Sequence, residues 1–159
     1  MKKIFSLLFL IGLVFLVAGC EAKKETYSSN GFKITMHEGF TEKSLASATV
    51  YYESMEAILT ALKEEFTILA AAGITENSTV EDYLTAVSAN NQETYEIKTS
   101  GDIKYFTYEK AVNGKDFYYL AIGYKSNDAF WLVNFAAEKA NQAKYEPLFL
   151  EWAKTVEFE

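Results

Sequence analysis

The sequence has few of the residues that several functions require: no arginine, one cysteine, one histidine and one proline among 159 residues. One cysteine cannot form a disulfide within the chain, which excludes a small disulfide-stapled scaffold. One cysteine and one histidine also leave no ligand set typical of a zinc site. Without arginine there is no bidentate donor for phosphate or guanine, and the net charge of −7 repels nucleic acid. We therefore expect no nucleic-acid partner, no metal site and no cofactor.

What remains is the composition of a folded protein. Half of the residues are hydrophobic, 16% are aromatic and 23% are charged. The hydrophobic fraction is too high for an intrinsically disordered chain. The length corresponds to one domain.

The first twenty residues have the pattern of a secretory leader that ends at a cysteine. A positive start, Met1-Lys2-Lys3, precedes an apolar run at residues 4–18. Fifteen apolar residues are fewer than the roughly 20 that a membrane-spanning helix needs, and they fit a signal peptide. The run ends in Val17-Ala18-Gly19-Cys20, which resembles the lipobox of bacterial lipoproteins.

The lipobox resemblance implies cleavage between Gly19 and Cys20 and attachment of lipid to Cys20. The sulfur would carry diacylglycerol and the amine a further acyl chain such as palmitate, and two or three chains anchor a protein stably. This would place the protein on the extracytoplasmic face of the cell membrane. Two alternatives remain open: an ordinary signal peptide with an incidental cysteine, and an uncleaved anchor.

Cleavage would divide the chain into three parts. Residues 1–19 are the signal peptide, residues 20–30 are predicted to be a flexible lipidated tether because they are polar and lack apolar periodicity, and residues 31–159 are the globular domain. The leader contains two lysines and no acid, so its removal takes the net charge from −7 to −9. The mature protein is acidic.

Hydrophobic periodicity predicts two strands and then two helices in the first part of the domain. Residues 32–36 and 47–52 have the alternation or composition of strands. Apolar residues with helical spacing predict an amphipathic helix over residues 55–70, and they are Met55, Ile58, Leu59, Leu62, Phe66, Leu69 and Ala70. A second helix follows from residue 80 to about residue 90, with Ser78 and Thr79 as capping residues three positions before Glu81 and Asp82.

Three strands and a helix are predicted in the second part. Strands at residues 103–112 and 117–124 flank Asn113-Gly114, which favours a tight hairpin turn. A third strand covers residues 130–136, and a further short one is possible at residues 95–98. Pro147 fits best as the first residue of the last helix, after Glu146 as N-cap; if the helix instead begins near Asn141, Pro147 lies inside it and should kink it.

The resulting order, β-β-α-α-β-β-β-α, predicts an α+β fold in which an antiparallel sheet of five to six strands is covered by helices on both faces. This α/β/α sandwich resembles the PsbP-like fold. The resemblance rests on Gly31-Phe32-Lys33-Ile34, on Val112-Asn113-Gly114-Lys115, on the strand at residues 131–135 and on the terminal residues 153–158. PsbP is an extrinsic photosystem subunit, and a nuclear Ran-binding factor and bacterial lipoproteins share the fold. The resemblance implies a binding or assembly domain with no common catalytic set.

Catalytic residues are not predicted, whereas an aromatic binding surface is. The only histidine, His37, would have to serve any serine triad. The neighbouring acids Glu64-Glu65 and Glu81-Asp82 point about 100° apart on a helix and do not converge. Tyrosines combine an apolar body with a polar tip suited to partner recognition. The candidates on predicted strands are Tyr51, Tyr52, Tyr105 and Tyr108.

These observations predict a membrane-anchored extracytoplasmic lipoprotein that acts as a non-catalytic binding or assembly module. Its expected partners are the lipid bilayer, through acylated Cys20, and a protein of the cell envelope. Two other functions stay open. A surface hydrolase or carbohydrate-processing enzyme would need two acids facing one cleft, roughly 5 to 10 Å apart. A small-ligand carrier would need an apolar pocket of roughly 300 Å³ or more.

Overall fold

The computed structural model describes residues 22–159, so the predicted leader, Gly19 and Cys20 lie outside the described residues. The strands are β1 (Lys24–Ser29), β2 (Phe32–His37), β3 (Thr41–Glu42), β4 (Val50–Glu53), β5 (Ala57–Glu65), β6 (Lys98–Ser100), β7 (Ile103–Val112), β8 (Lys115–Lys125), β9 (Ala129–Glu138) and β10 (Glu157–Phe158). The helices are α1 (Phe66–Leu69), α2 (Val80–Asn90) and α3 (Gln142–Ala153), with short 3₁₀ turns at Ala70–Ala72 and Lys139–Asn141.

The strands form two antiparallel sheets. The larger sheet has seven strands in the order β3-β4-β5-β9-β8-β7-β6, and the smaller one has three in the order β1-β2-β10. The α+β class with an antiparallel sheet and helices is confirmed. The strand count is higher than predicted, with ten strands in residues 22–159.

One face of the large sheet is fully covered. Helix α3 and strand β2 pack on it, and the side chains between them are almost completely buried. Phe149 of α3 stacks on Phe135 of β9 with ring centroids 5.0 Å apart, and Trp152 lies 6.2 Å from the same ring. From the small sheet, Phe32 lies 6.0 Å from Trp131 of β9. We call this surface the closed face, and it holds the main core.

The predicted helix over residues 55–70 is wrong, because most of that segment is β5. Strand β5 pairs with β4 on one side and with all of β9's central residues on the other. Its residues alternate, with Ala57, Leu59 and Ala61 buried on the closed face and Ile58 half-buried on the opposite face. Apolar residues on both faces of a strand imitate a helical stripe. Helical structure begins only at Phe66, as the single turn α1.

The predicted flexible tether over residues 20–30 is also corrected, since Lys24–Ser29 forms β1. Strand β1 pairs with β2 along its whole length, from Lys24 opposite His37 to Ser29 opposite Phe32. Its side chains are mostly exposed and polar, and the backbone pairing is supplemented by Tyr27, which packs on Tyr52 with ring centroids 5.3 Å apart. A sequence without apolar alternation gives no sign of such an edge strand.

Two local predictions are confirmed. Asn113 and Gly114 have φ angles of 52° and 78°, the left-handed values that the β7–β8 hairpin turn requires. Helix α2 begins after Thr79, whose hydroxyl accepts from the Asp82 N–H at 3.1 Å while the Asp82 carboxylate accepts from the Thr79 N–H at 2.8 Å. This reciprocal capping box is the one that the spacing indicated.

At the C-terminus the preferred start of the last helix at Pro147 is wrong, and the helix begins next to Asn141 instead. Helix α3 starts at Gln142, directly after a 3₁₀ turn, and contains Pro147 in its interior instead of at its first position. Tyr145 in the first turn is buried and its hydroxyl donates to Glu56 at 2.7 Å, which fixes this end of the helix to the β4–β5 hairpin. In residues 22–159 no helix has the length and apolarity needed to cross a bilayer.

Candidate binding surface

The second face of the large sheet is only partly covered. Helix α2 lies over one half, where Leu84 packs between Phe106, Ala121 and Phe130. The contact is close at Gly123 of β8, where a Cβ atom would lie 2.7 Å from Val80 Cγ1. A larger side chain would push α2 away, so the sequence keeps the residue beneath the helix small.

The other half of this face has no helix or strand above it in residues 22–159, and we call it the open half. Cross-strand register places its residues side by side: Tyr51 opposite Thr60, Ile58 opposite Ala136, Ala136 opposite Tyr119 and Tyr119 opposite Tyr108. All but Ala136 are half-buried. Ile58, Ala136, Tyr119 and Tyr108 form one row across four strands, β5-β9-β8-β7, which is about 14 Å at the usual spacing between strands. Glu53 continues this row on β4, and Tyr51 and Thr60 lie in the next row. The result is an apolar and aromatic strip with an acid at its β4 end.

Aromatic rings form a continuous stack at the β7–β8 side of the open half. Tyr108 and Tyr119 stack with centroids 4.6 Å apart and an interplanar angle of 5°. Tyr95, from the loop after α2, stacks on Phe106 at 4.6 Å and on Tyr108 at 5.5 Å. Phe117 lies 6.4 Å from Tyr119. Rings packed in this way hold each other in place, so the surface is ordered before any partner binds.

The phenol groups of this stack remain protonated. Burial, together with the neighbouring Tyr119 and Tyr95, raises the pKa of Tyr108 to about 12. Burial also raises the pKa of Tyr119 and of Tyr95. Each ring therefore offers a neutral hydroxyl that can donate a hydrogen bond, beside an apolar body.

A cavity of about 530 Å³ opens beside the stack, with Tyr95, Tyr108 and Tyr119 on one side. Glu93, Glu109 and Lys110 also line it. Glu109 forms an ion pair with Lys139. The stack is thus bordered by charged side chains at the edge of the sheet.

A second cavity, of about 350 Å³, lies between α2 and the sheet. It is mostly apolar and is lined by Leu62, Leu69, Ala72, Ile74, Ala86, Val87 and Leu132, with Glu64, Tyr83, Asn90 and Asn91 as its polar residues. The Tyr83 hydroxyl, in a ring that is 1% exposed, donates to the Glu64 carboxylate at 2.5 Å. Asn91 lines both cavities, so they adjoin along the edge of α2.

The acids of the β4–β5 hairpin and of the two predicted acid pairs have separate surroundings. A general acid needs a raised pKa, whereas Lys43 lowers the pKa of Glu53 and Lys144 lowers that of Glu56, the two acids at the β4–β5 hairpin. The two pairs of neighbouring acids in the sequence, at residues 64–65 and 81–82, each have members in different surroundings. Glu64 accepts from Tyr83 and Glu65 is exposed, while Glu81 pairs with Lys104 and Asp82 caps α2.

The surroundings of His37 are aromatic. His37 is half-buried and packs edge-on against Trp152, with centroids 5.2 Å apart. Within the described part of the chain, no three His, Cys, Asp or Glu side chains are grouped so as to hold a metal ion. What this surface offers is recognition by shape, aromatic contact and charge.

The four predicted tyrosines separate into two pairs. Tyr51 and Tyr108 are half-buried on the open half, at its opposite edges. Tyr52 and Tyr105 are 2% and 8% exposed and lie in the core of the closed face, so they are not surface residues and that part of the expectation is corrected. Neighbouring tyrosines on a strand point to opposite faces.

Sequence reasoning missed Tyr95, Phe117, Tyr119 and Ile58 as residues of this surface. The predicted sandwich has helices over both faces of the sheet, which leaves no open face for Phe117 and Tyr119. Because residues 57–65 form a strand instead, α2 with the short turn α1 is the only helical cover in the described residues. The open half is left without a second helix because residues 57–65 are a strand of the sheet itself.

Comparison with known proteins identifies the fold. No family model matches the chain, and no curated protein matches it in sequence. The solution structure of cyanobacterial PsbP (CyanoP) from Synechocystis superposes with a TM-score of 0.51 and 13% identity, over 93% of this chain and 100% of that one. A crystal structure from Bacteroides thetaiotaomicron gives 0.54 and 12% identity over 87% of this chain.

The chain spans about half of that Bacteroides protein, 48% of its length. LpqN, described as involved in cell envelope biogenesis of Mycobacterium tuberculosis, superposes with a TM-score of 0.47 and 8% identity over 84% of this chain and 89% of LpqN. The likeness to CyanoP, over nearly the whole of both chains, shows that the fold is PsbP-like.

Proposed function

We propose that this protein is a lipid-anchored, extracytoplasmic module that has no catalytic role and binds a protein partner through the open half of its large sheet. The observation that carries the proposal is the ordered stack of half-buried tyrosines on a sheet face that is left without a cover. Contiguous apolar and aromatic surface on a soluble domain marks an interaction site. Tyrosine is among the residues that contribute most to binding at protein interfaces.

The extent of the open half favours a protein over a small molecule at this surface. Its row of paired residues crosses four strands, and the cavity of about 530 Å³ takes up only the part beside the tyrosine stack. The mature chain has a net charge of −9 after loss of the leader, whereas Glu53 and Glu109 at the border of the open half are already paired with Lys43 and Lys139. The partner we expect presents an apolar patch, and the net charge of the mature chain favours a basic surface around it.

The anchor is tested separately from the surface. Cys20→Ala should leave an unprocessed precursor without lipid, because the lipoprotein signal peptidase acts only before a lipid-modified cysteine. The mass of the N-terminal peptide from purified membranes reports this directly, and Glu21→Ala serves as a control that should be processed normally. Normal cleavage of the Cys20→Ala protein would show that residues 1–19 are an ordinary signal peptide.

The surface is tested with the double variant Tyr108→Ser/Tyr119→Ser. Purification of the tagged protein from crosslinked cell envelopes should recover a defined partner with the wild type and at least tenfold less with the double variant. The matched control is Ile68→Ser, which alters an exposed apolar residue on α1, outside the open half. Equal recovery with the double variant would contradict the assigned surface.

The cavity under α2 favours a second candidate, a carrier of a small apolar molecule. Its volume of about 350 Å³ exceeds the roughly 300 Å³ that ligand sites need. The Glu64 carboxylate at its wall would suit a ligand with an amino group. Native mass spectrometry of the purified protein should then detect a bound molecule that Val87→Phe, which fills the cavity, displaces. Thr85→Phe, on the exposed side of α2, should retain it; a protein free of adducts in every preparation would exclude the carrier.

A further inference from the structure

The position of β1 leaves little chain between the predicted lipid anchor and the fold. Strand β1 begins at Lys24, so that three residues separate it from Cys20. From Cys20 to Lys24 an extended chain covers about 14 Å at most. If Cys20 is lipid-modified, as the proposed function requires, the edge of the domain where β1 begins lies at the membrane surface.

That edge carries the most exposed apolar side chain in residues 22–159. Met55 is fully exposed, at 103%, at the tip of the β4–β5 hairpin. The hairpin is a tight turn in which the Ser54 N–H donates to the Ala57 carbonyl oxygen at 2.9 Å. Ala22 and Met55 line the same cavity of about 460 Å³, together with the apolar side chains of Phe40 and Leu148. The start of the described chain and the tip of the hairpin are therefore neighbours.

The acids next to this edge are paired with lysines. Glu56, which follows Met55 in the hairpin, accepts from Lys144 Nζ at 2.6 Å and from the Tyr145 hydroxyl at 2.7 Å. These contacts lower the pKa of Glu56 and direct its carboxylate toward α3, away from the tip. On the other side, Lys23 lies 3.3 Å from Glu38. A carboxylate that is already paired opposes contact with a membrane surface less than a lone one does.

We propose that the Met55 hairpin inserts into the boundary between headgroups and acyl chains of the membrane that anchors Cys20. A single exposed methionine would hold the domain only weakly by itself. The anchor supplies the high local concentration that makes such a weak second contact effective. The hairpin therefore fixes the orientation of the domain, while the lipid supplies the affinity.

This orientation determines where the open half faces. Strands β5 and β8 both start at the Met55 end of the sheet, since both run antiparallel to β9. Ile58 and Phe117 lie near these starts, in the open half, whereas α2 covers residues farther along the same strands, such as Leu62 and Gly123. The open half thus lies next to the bilayer, where it would meet a membrane-bound partner or the membrane-proximal part of one.

The test uses the protein as the cell makes it, purified in detergent and reconstituted into vesicles with lipids brominated along their acyl chains. Met55→Trp and Ile68→Trp place a reporter at two exposed apolar positions. Ile68 follows β5 at its other end, about 26 Å along the strand from the hairpin, and is the matched control. The unsubstituted protein supplies the baseline from the buried Trp131 and Trp152.

We expect the additional emission of Met55→Trp to shift to the blue and to be quenched at least threefold by brominated lipid, and that of Ile68→Trp to remain unquenched. Equal emission from both variants, unquenched, would overturn the proposal. The mass of the N-terminal peptide is measured on the same sample. If Cys20 is unmodified, the proposed anchoring fails, and coupling its thiol to a maleimide headgroup still allows the insertion of the hairpin to be measured.

Discussion

The two faces of the seven-stranded sheet carry similar residues but are covered to different extents. The closed face buries Phe135, Trp131 and Leu120 under α3 and the small sheet. The opposite face carries aromatic residues of the same kind, but α2 covers only half of it, and Tyr108 and Tyr119 stay half-buried. Composition alone does not distinguish the faces. The difference is the cover, and it separates residues that are buried in the core from residues that remain partly accessible.

Matched substitutions of phenylalanine on the two faces should show the largest difference. Phe135 is completely buried and packs on Phe149 and Trp152, so Phe135→Ala should lower the free energy of unfolding by about 3 to 5 kcal/mol. Phe117 is half-buried on the open half, and Phe117→Ala should cost about 1 kcal/mol. Urea unfolding measures both. Similar losses would mean that the open half also belongs to the core.

A second substitution tests how closely α2 covers its half. Gly123→Ala would place a Cβ atom 2.7 Å from Val80 Cγ1 and 3.0 Å from Leu84 Cγ, which should cost about 1 to 3 kcal/mol of unfolding free energy through overpacking. In a Val80→Ala background the clash with Cγ1 is absent, so Gly123→Ala should cost less there. An unchanged stability of Gly123→Ala in the wild-type background would show that α2 is loosely held.

The smallest expected effect concerns the start of α2. Hydrogen bonds from Thr79 lower the pKa of Asp82 below its usual value. Because the pKa is lower in the folded state, the stabilisation is complete above the unfolded-state pKa, near pH 4, and is lost as the pH falls through the folded-state value. Asp82→Asn should therefore be less stable than the wild type at pH 7, and the difference should shrink as the pH falls below about 4. Parallel stability curves over this range would contradict a role for the carboxylate.

The parts of the fold that the sequence predicted are those set by local interactions. The turn at Asn113-Gly114 depends on two residues that tolerate positive φ, and the capping box of α2 on two residues three positions apart. The alternation at Phe32, Ile34 and Met36 similarly gave β2. Each of these signals lies within a few residues of the structure that it specifies.

The parts that were wrong depend on distant pairing. Strand β5 is held by β9, with Leu59 opposite Phe135, and nothing within residues 55–70 indicates that partner. Strand β1 is mostly polar and exposed, pairs with the backbone of β2 and packs only Tyr27 on the core. The error about the candidate surface follows from the error about β5. Tyr51 and Tyr108 were chosen as surface residues, but a segment read as a covering helix concealed the fact that the face around them is open.

The most direct test of the central claim, that the open half is the binding surface, is photo-crosslinking in living cells. A photoreactive amino acid replaces Tyr119 on the open half or Thr85 on the outer side of α2. Helix α2 covers the other half of the same sheet face, so the two positions compare the open half with its neighbouring cover. We expect one discrete adduct from position 119, which is lost when Tyr108→Ser is added, and no adduct from position 85. Adducts of the same kind and amount from both positions, or from position 85 alone, would contradict the central claim.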